Sequence, residues 1–156
     1  MHDIAFVPLG DVDPEEILRH MADPRVAEHL PLLTGAFDRA MLAQFLEAKA
    51  ACWSRDGLGH WAILNHGVYV GWGGFQREGD DWDFGLVLKP ERFGLGAAIT
   101  RKALKFARDH KDIDQVTFLL APSRRSLRAL DRLGATFDGR VEHGAETFLK
   151  YRLKTS

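Results

Sequence analysis

The spacing of apolar residues changes character along the chain, and the elements can be read from it. Ile4–Leu9 reads as a short strand. Asp13-Pro14 then supplies a capping carboxylate followed by proline at a first helical position, which predicts a helix to about Met21. Asp23-Pro24 repeats the signal and predicts a second short helix near Arg25–Leu30. After Pro31–Phe37, Asp38 can cap a longer helix to about Ser54, with Met41, Leu42, Phe45, Ala48 and Cys52 at helical spacing on its buried stripe. The period then shortens. His60–Leu64, Val68–Gln76 and Trp82–Leu88 are strand-like, and the short turns between them, Asn65-His66-Gly67 and Glu78–Asp81, imply antiparallel neighbours. A glycine-containing loop over Lys89–Gly96 leads into a helix from about Leu95 to His110. Gln115–Ala121 reads as a strand, Arg124–Leu133 as a helix ended by Gly134, and two last strands meet at Glu142–Ala145. The order predicts a mixed α/β fold, one sheet flanked by helices.

Composition narrows the function without naming it. No repeat, low-complexity tract or linker divides residues 1–156, so a single domain is expected. The formal net charge is −1, so any grip on a phosphate has to come from a local patch. Cys52 is the single cysteine, which excludes an intramolecular disulfide and a cysteine cluster for zinc. The histidines show no paired-ligand spacing, and no catalytic metal is expected. Basic residues are not interleaved with aromatics, which argues against nucleic-acid binding. The start, Met1-His2-Asp3-Ile4, lacks the pattern of a secretory signal, and no apolar run approaches the roughly 20 residues that span a bilayer. A soluble cytoplasmic protein with no membrane partner is the expectation.

The segment Phe84-Gly85-Leu86-Val87-Leu88-Lys89-Pro90-Glu91-Arg92-Phe93-Gly94-Leu95-Gly96-Ala97-Ala98-Ile99 carries the clearest chemistry. A strand ends, glycines follow, and a helix begins at once. Orphan backbone N–H groups and the positive end of the helix dipole gather at such a start, where small residues let an anion come close. A tight turn that uses glycine for geometry alone is the alternative. No Gly-Lys-Ser/Thr ending is present, which excludes a P-loop, and Ile99 stands where a dinucleotide fingerprint wants Gly or Ala.

Together with what surrounds it, this segment resembles the GNAT N-acetyltransferase superfamily, with the RimJ/RimL-type branch the nearest likeness. The resemblance runs over nearly the whole chain. It rests on Asp23-Pro24-Arg25-Val26, Trp61-Ala62-Ile63, Val70-Gly71-Trp72-Gly73-Gly74-Phe75, Phe84–Pro90, the Gly94–Ala98 turn, and Ser123-Arg124-Arg125-Ser126 leading to Leu133-Gly134-Ala135. It implies a mostly antiparallel sheet splayed at an acetyl-CoA cleft, and transfer of an acetyl group from acetyl-CoA to a primary amine by direct attack. The amine would belong to a protein N-terminus or a small molecule. Whether the protein works as a homodimer stays open.

The resemblance also implies site residues. Pantetheine would pair along Leu86, Val87 and Leu88, in a gap opened against Gln115–Ala121, with the oxyanion donor near Leu88. Phe93, Gly94, Leu95, Gly96, Ala97 and Ala98 would hold the pyrophosphate, with either Glu91 or Phe93 at the family's Gln/Arg position. Ser123 takes the place of an asparagine that touches pantetheine, and Arg125, with Arg128 and Arg132 on the same helix face, would screen the ribose phosphate or simply form a solvated face, Arg132 more so than Arg125. Leu130 stands where many relatives carry a tyrosine acid, which leaves Ser126 as candidate donor to the departing sulfur; a helix-start hydroxyl bonded to backbone is the alternative. Asp83 is the candidate base, or else a solvated carboxylate at a turn. Glu28 and His29 would line an acceptor pocket or simply end a helix. Trp61 reads as core, whereas Trp72 and Trp82 would form an acceptor wall or pack inside. A rival reading is a non-catalytic acyl-CoA-binding module with the same fold.

Overall fold

The computed structural model of the chain describes residues 2–28, 36–120, 127–143 and 146–155. Strand β1 (Ile4–Val7) ends two residues earlier than predicted because Pro8 has no N–H to give a neighbour, and Leu9–Asp11 turn as a single 3-10 step. Three helices follow, each opened by an aspartate. In α1 (Pro14–Met21) Asp13 accepts the Glu15 N–H at 3.0 Å, and in α2 (Pro24–Ala27) Asp23 accepts the Arg25 N–H at 2.9 Å. In α3 (Arg39–Asp56) Asp38 accepts the Met41 N–H at 2.9 Å, and Gly57 closes the helix with φ 74° and its N–H on the Trp53 carbonyl. These side chains satisfy donors that the first helical turn leaves without partners.

The buried stripe of α3 is shorter than the spacing predicted. Leu42 is buried and Met41, Phe45 and Leu46 pack beside it, but Ala48 is exposed and Cys52 only half-buried. The end of the helix docks through Trp53 instead, whose indole N–H donates to the His60 carbonyl at 2.8 Å.

Strands β2 (His60–Asn65), β3 (Val68–Glu78) and β4 (Asp81–Leu88) form the predicted antiparallel meander. The first turn places His66 and Gly67 at φ 50° and 76°, the pair of left-handed residues a tight two-residue hairpin requires. Pro90–Leu95 wind as a 3-10 helix, not an open loop, and run straight into α4 (Gly96–Asp109). Then come β5 (Gln115–Leu120), α5 (Leu127–Leu133, closed by Gly134), β6 (Thr136–His143) and β7 (Glu146–Lys154). The seven strands lie in the order β1-β2-β3-β4-β5-β7-β6. Every pair is antiparallel except β4–β5.

Helices cover both faces. Phe75, Trp82, Phe84, Val116 and Phe118 pack with Ala103, Leu104 and Ala107 of α4 and Leu130 of α5, and Trp61 joins this core as expected. Ala62, Tyr69 and Trp72 pack on the other face with Ile17 and Met21 of α1, Val26 of α2 and Leu42 of α3. Trp72 and Trp82 are both buried and belong to opposite faces, so they do not form one wall.

The sheet is continuous except at its centre. β4 and β5 pair only from Trp82↔Val116 to Phe84↔Phe118, so the last four residues of β4, Gly85–Leu88, leave β5 behind. Those residues stay bound to β3. The Lys89 N–H donates to the Val70 carbonyl at 2.9 Å. A Cβ on Gly73 or on Gly71 would lie 2.4 Å from the carbonyl oxygen of Gly85 or of Val87, respectively. Glycine at these two β3 positions is what lets β4 lie so close to β3 on the side away from the gap. Gly73→Ala should therefore push β4 out of place and destabilise the domain by about 1–3 kcal/mol. Urea unfolding would show this as a lower midpoint with an unchanged slope.

Candidate active site

Alternate residues of a strand turn their backbone groups to opposite neighbours. Since Gly85, Val87 and Lys89 face β3, the N–H and C=O groups of Leu86 and Leu88 face the side where β5 has diverged. Among the described residues the gap therefore presents an edge that no strand pairs, with the His20 imidazole near the Leu88 backbone, at the residues sequence reasoning named for pantetheine. Its far end meets the helix start. Leu88 packs with Leu95 and Ile99, and its Cδ1 lies 3.8 Å from where a Gly96 Cβ would be.

The start of α4 has no side-chain cap; Leu95 occupies the cap position. Nothing lies within 4 Å of a Cβ built on Gly94, Ala97 is exposed and Ala98 half-buried. Several expected donors are already used: the Gly96 N–H bonds the Phe93 carbonyl, and the Phe93 and Leu95 amides are spent inside the 3-10 helix in the same way, because that helix extends α4 backwards by about two turns. Phe93 is 48% exposed, and the exposed Glu91 carboxylate comes within 4.0 Å of Arg25. Ser123, Arg125 and Ser126 lie outside the described residues, as do His29 and the side chain of Arg128. Glu28 and Arg132 are exposed.

Asp83 sits in the last stretch where β4 and β5 are paired, one residue before that pairing ends. Its register partner on β5 is Thr117, whose hydroxyl donates to Asp83 Oδ1 at 3.0 Å. The carboxylate opens onto a pocket of about 180 Å³ shared with Glu78, Asp81, Thr117, Leu119, Val141 and Lys150. Burial pushes its pKa up to about 7, against the smaller opposing effect of the Thr117 hydrogen bond. Asp81, two residues earlier on the same face, behaves oppositely. Arg152 Nη1 and Lys150 Nζ each approach it at 2.8 Å, and these bonds hold it below the usual carboxylate range. Two neighbouring carboxylates separated in this way can divide the work: one stays ionised as structure, the other exchanges a proton near neutrality.

A residue that sequence reasoning missed completes this face. His60, at the start of β2, is 7% exposed, and burial, reinforced by the nearby Lys49 charge, lowers its pKa to about 3. Lys49 Nζ itself lies 4.9 Å over the Trp72 ring and donates to Gln76 Oε1 at 3.1 Å, its own pKa lowered by burial. The sequence signal for His60 was weak: a histidine at a strand end beside Gly59, with no motif around it.

The strand gap, the open helix start and the raised carboxyl lie together around one opening. A family-level sequence profile described as an acetyltransferase (GNAT) domain matches residues 3–136. The chain belongs to this family. It is an acetyl-CoA-dependent N-acetyltransferase by that membership, and the fold agrees. The acetyltransferase of Agrobacterium tumefaciens str. C58 superposes with a TM-score of 0.76 at 22% identity, over 96% of this chain and 90% of that one. Spermidine N-acetyltransferase of Vibrio cholerae, solved with CoA and spermine, gives 0.74 at 9% identity, over 99% and 95%. Campylobacter jejuni N-acetyltransferase PseH, solved with acetyl coenzyme A, gives 0.69 at 16% identity, over 99% and 100%. A search of curated proteins returns no match.

The raised pKa of Asp83 has a thermodynamic consequence. A carboxyl that binds its proton more tightly folded than unfolded adds stability that is full below its unfolded pKa near 3.8 and is lost as pH rises through about 7. Asp83→Asn keeps an oxygen for Thr117 and removes the charge. It should melt higher than the native chain at pH 8, with the difference closing by pH 4, as followed by thermal unfolding across that range.

Proposed function

We propose that this acetyltransferase acetylates a primary amine by direct attack in a ternary complex, with Asp83 as the base. The carrying observation is the juxtaposition of a half-buried, neutral-range carboxylate with the point where β4 leaves β5. In this reading the Leu86 and Leu88 backbone groups take up the pantetheine amides as an added strand would, and the first-turn amides of Ala97 and Ala98, beside the bare Gly94 and Gly96, hold the pyrophosphate. Ser123 and Arg125 assist along the arm and at the ribose phosphate.

The proton inventory is simple. Asp83 takes a proton from the acceptor ammonium, which frees the nitrogen lone pair to form the C–N bond at the thioester carbonyl. A backbone N–H at the free end of β4, near Leu88, steadies the oxygen as charge develops there. The C–S bond then breaks, the Ser126 hydroxyl gives the thiolate its proton, and the second proton that the nitrogen sheds as the amide forms restores that hydroxyl through solvent. Leu130, 5% exposed and packed in the α4–α5 core, cannot supply a proton where other relatives use tyrosine.

The likeness to the RimJ/RimL branch favours a protein N-terminus as acceptor; a small amine would use the same pocket. We place the enzyme in the cytoplasm, where acetyl-CoA is available. No helix among the described residues is long and apolar enough to cross a membrane.

Thiol release with acetyl-CoA and a panel of peptide and small-molecule amines tests the reading. Turnover should rise with pH through about 7. In Asp83→Asn it should fall by about 10²–10⁴-fold and lose that limb, while acetyl-CoA still raises the melting temperature. Ser126→Ala should slow turnover and keep the melting shift, and a bulky residue at Gly94 should abolish the shift. A melting shift with no turnover on any amine would make the protein a binding module, and an Asp83→Asn enzyme with native rates would remove the base.

A further inference from the structure

One rung crosses the three central strands at the mouth of the gap, running His60↔Gly74↔Gly85. It carries a single side chain. Gly85 is the first residue of β4 beyond its last pair with β5. The imidazole reaches across the side-chain-free Gly74 until its Cε1 and Nε2 lie 3.4 Å from where a Gly85 Cβ would stand. The ring also lies 5.4 Å from Trp72, tilted by 37°. Asp83 is two residues from Gly85 and so occupies the same face of β4.

The other ring nitrogen is costly. His60 Nδ1 is buried without a hydrogen-bond partner among the described residues. A phenylalanine would fill this space against Trp72 without orphaning a nitrogen, so packing alone does not account for histidine. Burial keeps the ring neutral, and a neutral imidazole can present one nitrogen as an acceptor. Of the two, Nε2 lies on the edge that reaches Gly85, and Gly85 offers no side chain to block an approach there.

We propose that His60 binds the acceptor amine, its Nε2 accepting one N–H above Gly85 while Asp83 removes the proton. With one N–H held from β2 and the proton drawn off toward Asp83, the nitrogen lone pair turns toward the thioester carbon in the gap. His60 itself neither gains nor loses a proton; it orients the nucleophile. The proposal rests on the gap being the thioester site.

Three variants of the full chain test it: His60→Phe, His60→Gln and His60→Asn. Steady-state thiol release is measured against amine concentration, with melting temperature and the acetyl-CoA melting shift recorded for each. His60→Phe should melt at or above the native temperature and keep the acetyl-CoA shift. It should lose about tenfold or more in kcat/KM for the amine, mostly through KM, with the limb near pH 7 retained. Glutamine places an oxygen near the Nε2 position and should recover part of the loss; asparagine, too short to reach Gly85, should not. Native kcat/KM in His60→Phe, equal KM values for the Gln and Asn variants, or a fall in melting temperature that tracks the activity loss would each overturn the assignment and leave His60 as packing. If the native chain turns over no amine, the acetyltransfer reading fails and this one with it. If the native chain is active and the variants match it, only His60 is removed.

Discussion

The architecture depends on how β4 divides its backbone. Alternate residues from Gly85 onward are committed to β3, and those between them have lost β5. Inside a sheet this is an unusual condition, because a buried backbone N–H or C=O without a partner costs about 1–3 kcal/mol. Such a gap persists only if water or a ligand amide serves the exposed groups. An extended chain bearing amides suits it well, since an added strand is the arrangement those groups already expect. The glycines of β3 hold the opening. With side chains at positions 71 and 73, β4 could not lie so close to β3 along Gly85–Val87 and would be displaced from the position that keeps the gap clear.

The chemistry of the site follows from how the same face distributes charge. Asp81 and Asp83 are the same residue type, two positions apart, with partners that differ in kind. Asp81 meets a guanidinium and an ammonium, both delivered by β7, and is fixed as an anion. Asp83 bonds a hydroxyl and lies against a desolvating wall, with the Glu78, Lys150 and Asp81 charges as smaller and partly opposing influences, so its proton becomes exchangeable near neutral pH. The ion pairs of Asp81 thus do more than tie β7 to the β4 hairpin. By engaging Lys150 and Arg152, they keep either cation from pairing directly with Asp83, where such a pair would lower the pKa out of the useful range, and leave Lys150 a weaker influence at a distance.

Much of this was legible in the sequence wherever the signal was local. Each Asp-Pro pair capped a helix, Asp38 capped the third, and the turn at Asn65-His66-Gly67 set the meander. The passage from β4 into α4 was recognisable because strand, glycines and helix follow one another without interruption. What was not legible is set by distant partners. Alternation in Trp82–Leu88 shows two faces but cannot show that one edge loses its neighbour halfway. The separation of Asp81 from Asp83 depends on residues about seventy positions away. The stripe on α3 read one helical turn too far, since periodicity could not reveal that Trp53 takes over the packing from Ala48 and Cys52. The 3-10 helix was missed for a related reason: glycines that suggested a loop also tolerate a tight helical turn, and that turn uses the Gly96 amide.

Most of the features that cost stability gather in one place; a buried nitrogen of His20 on α1, beside Tyr69, is a further one. The unpaired end of β4, the side-chain-free cap of α4, the carboxyl kept near neutrality at Asp83 and the orphan nitrogen of His60 all border the same opening. Elsewhere among the described residues the helix starts are capped by aspartates and the apolar faces are closed by packed side chains. Random imperfection would scatter such costs over the domain. Concentration at the splay is what is expected when a fold holds polar groups in readiness for a substrate, because each of those groups gains its missing partner only when the site is filled. On the reading proposed above, the groups left incomplete outline what would fill the site: an extended run of amides against β4, an anion at α4, and an amine between Asp83 and the rung that His60 spans.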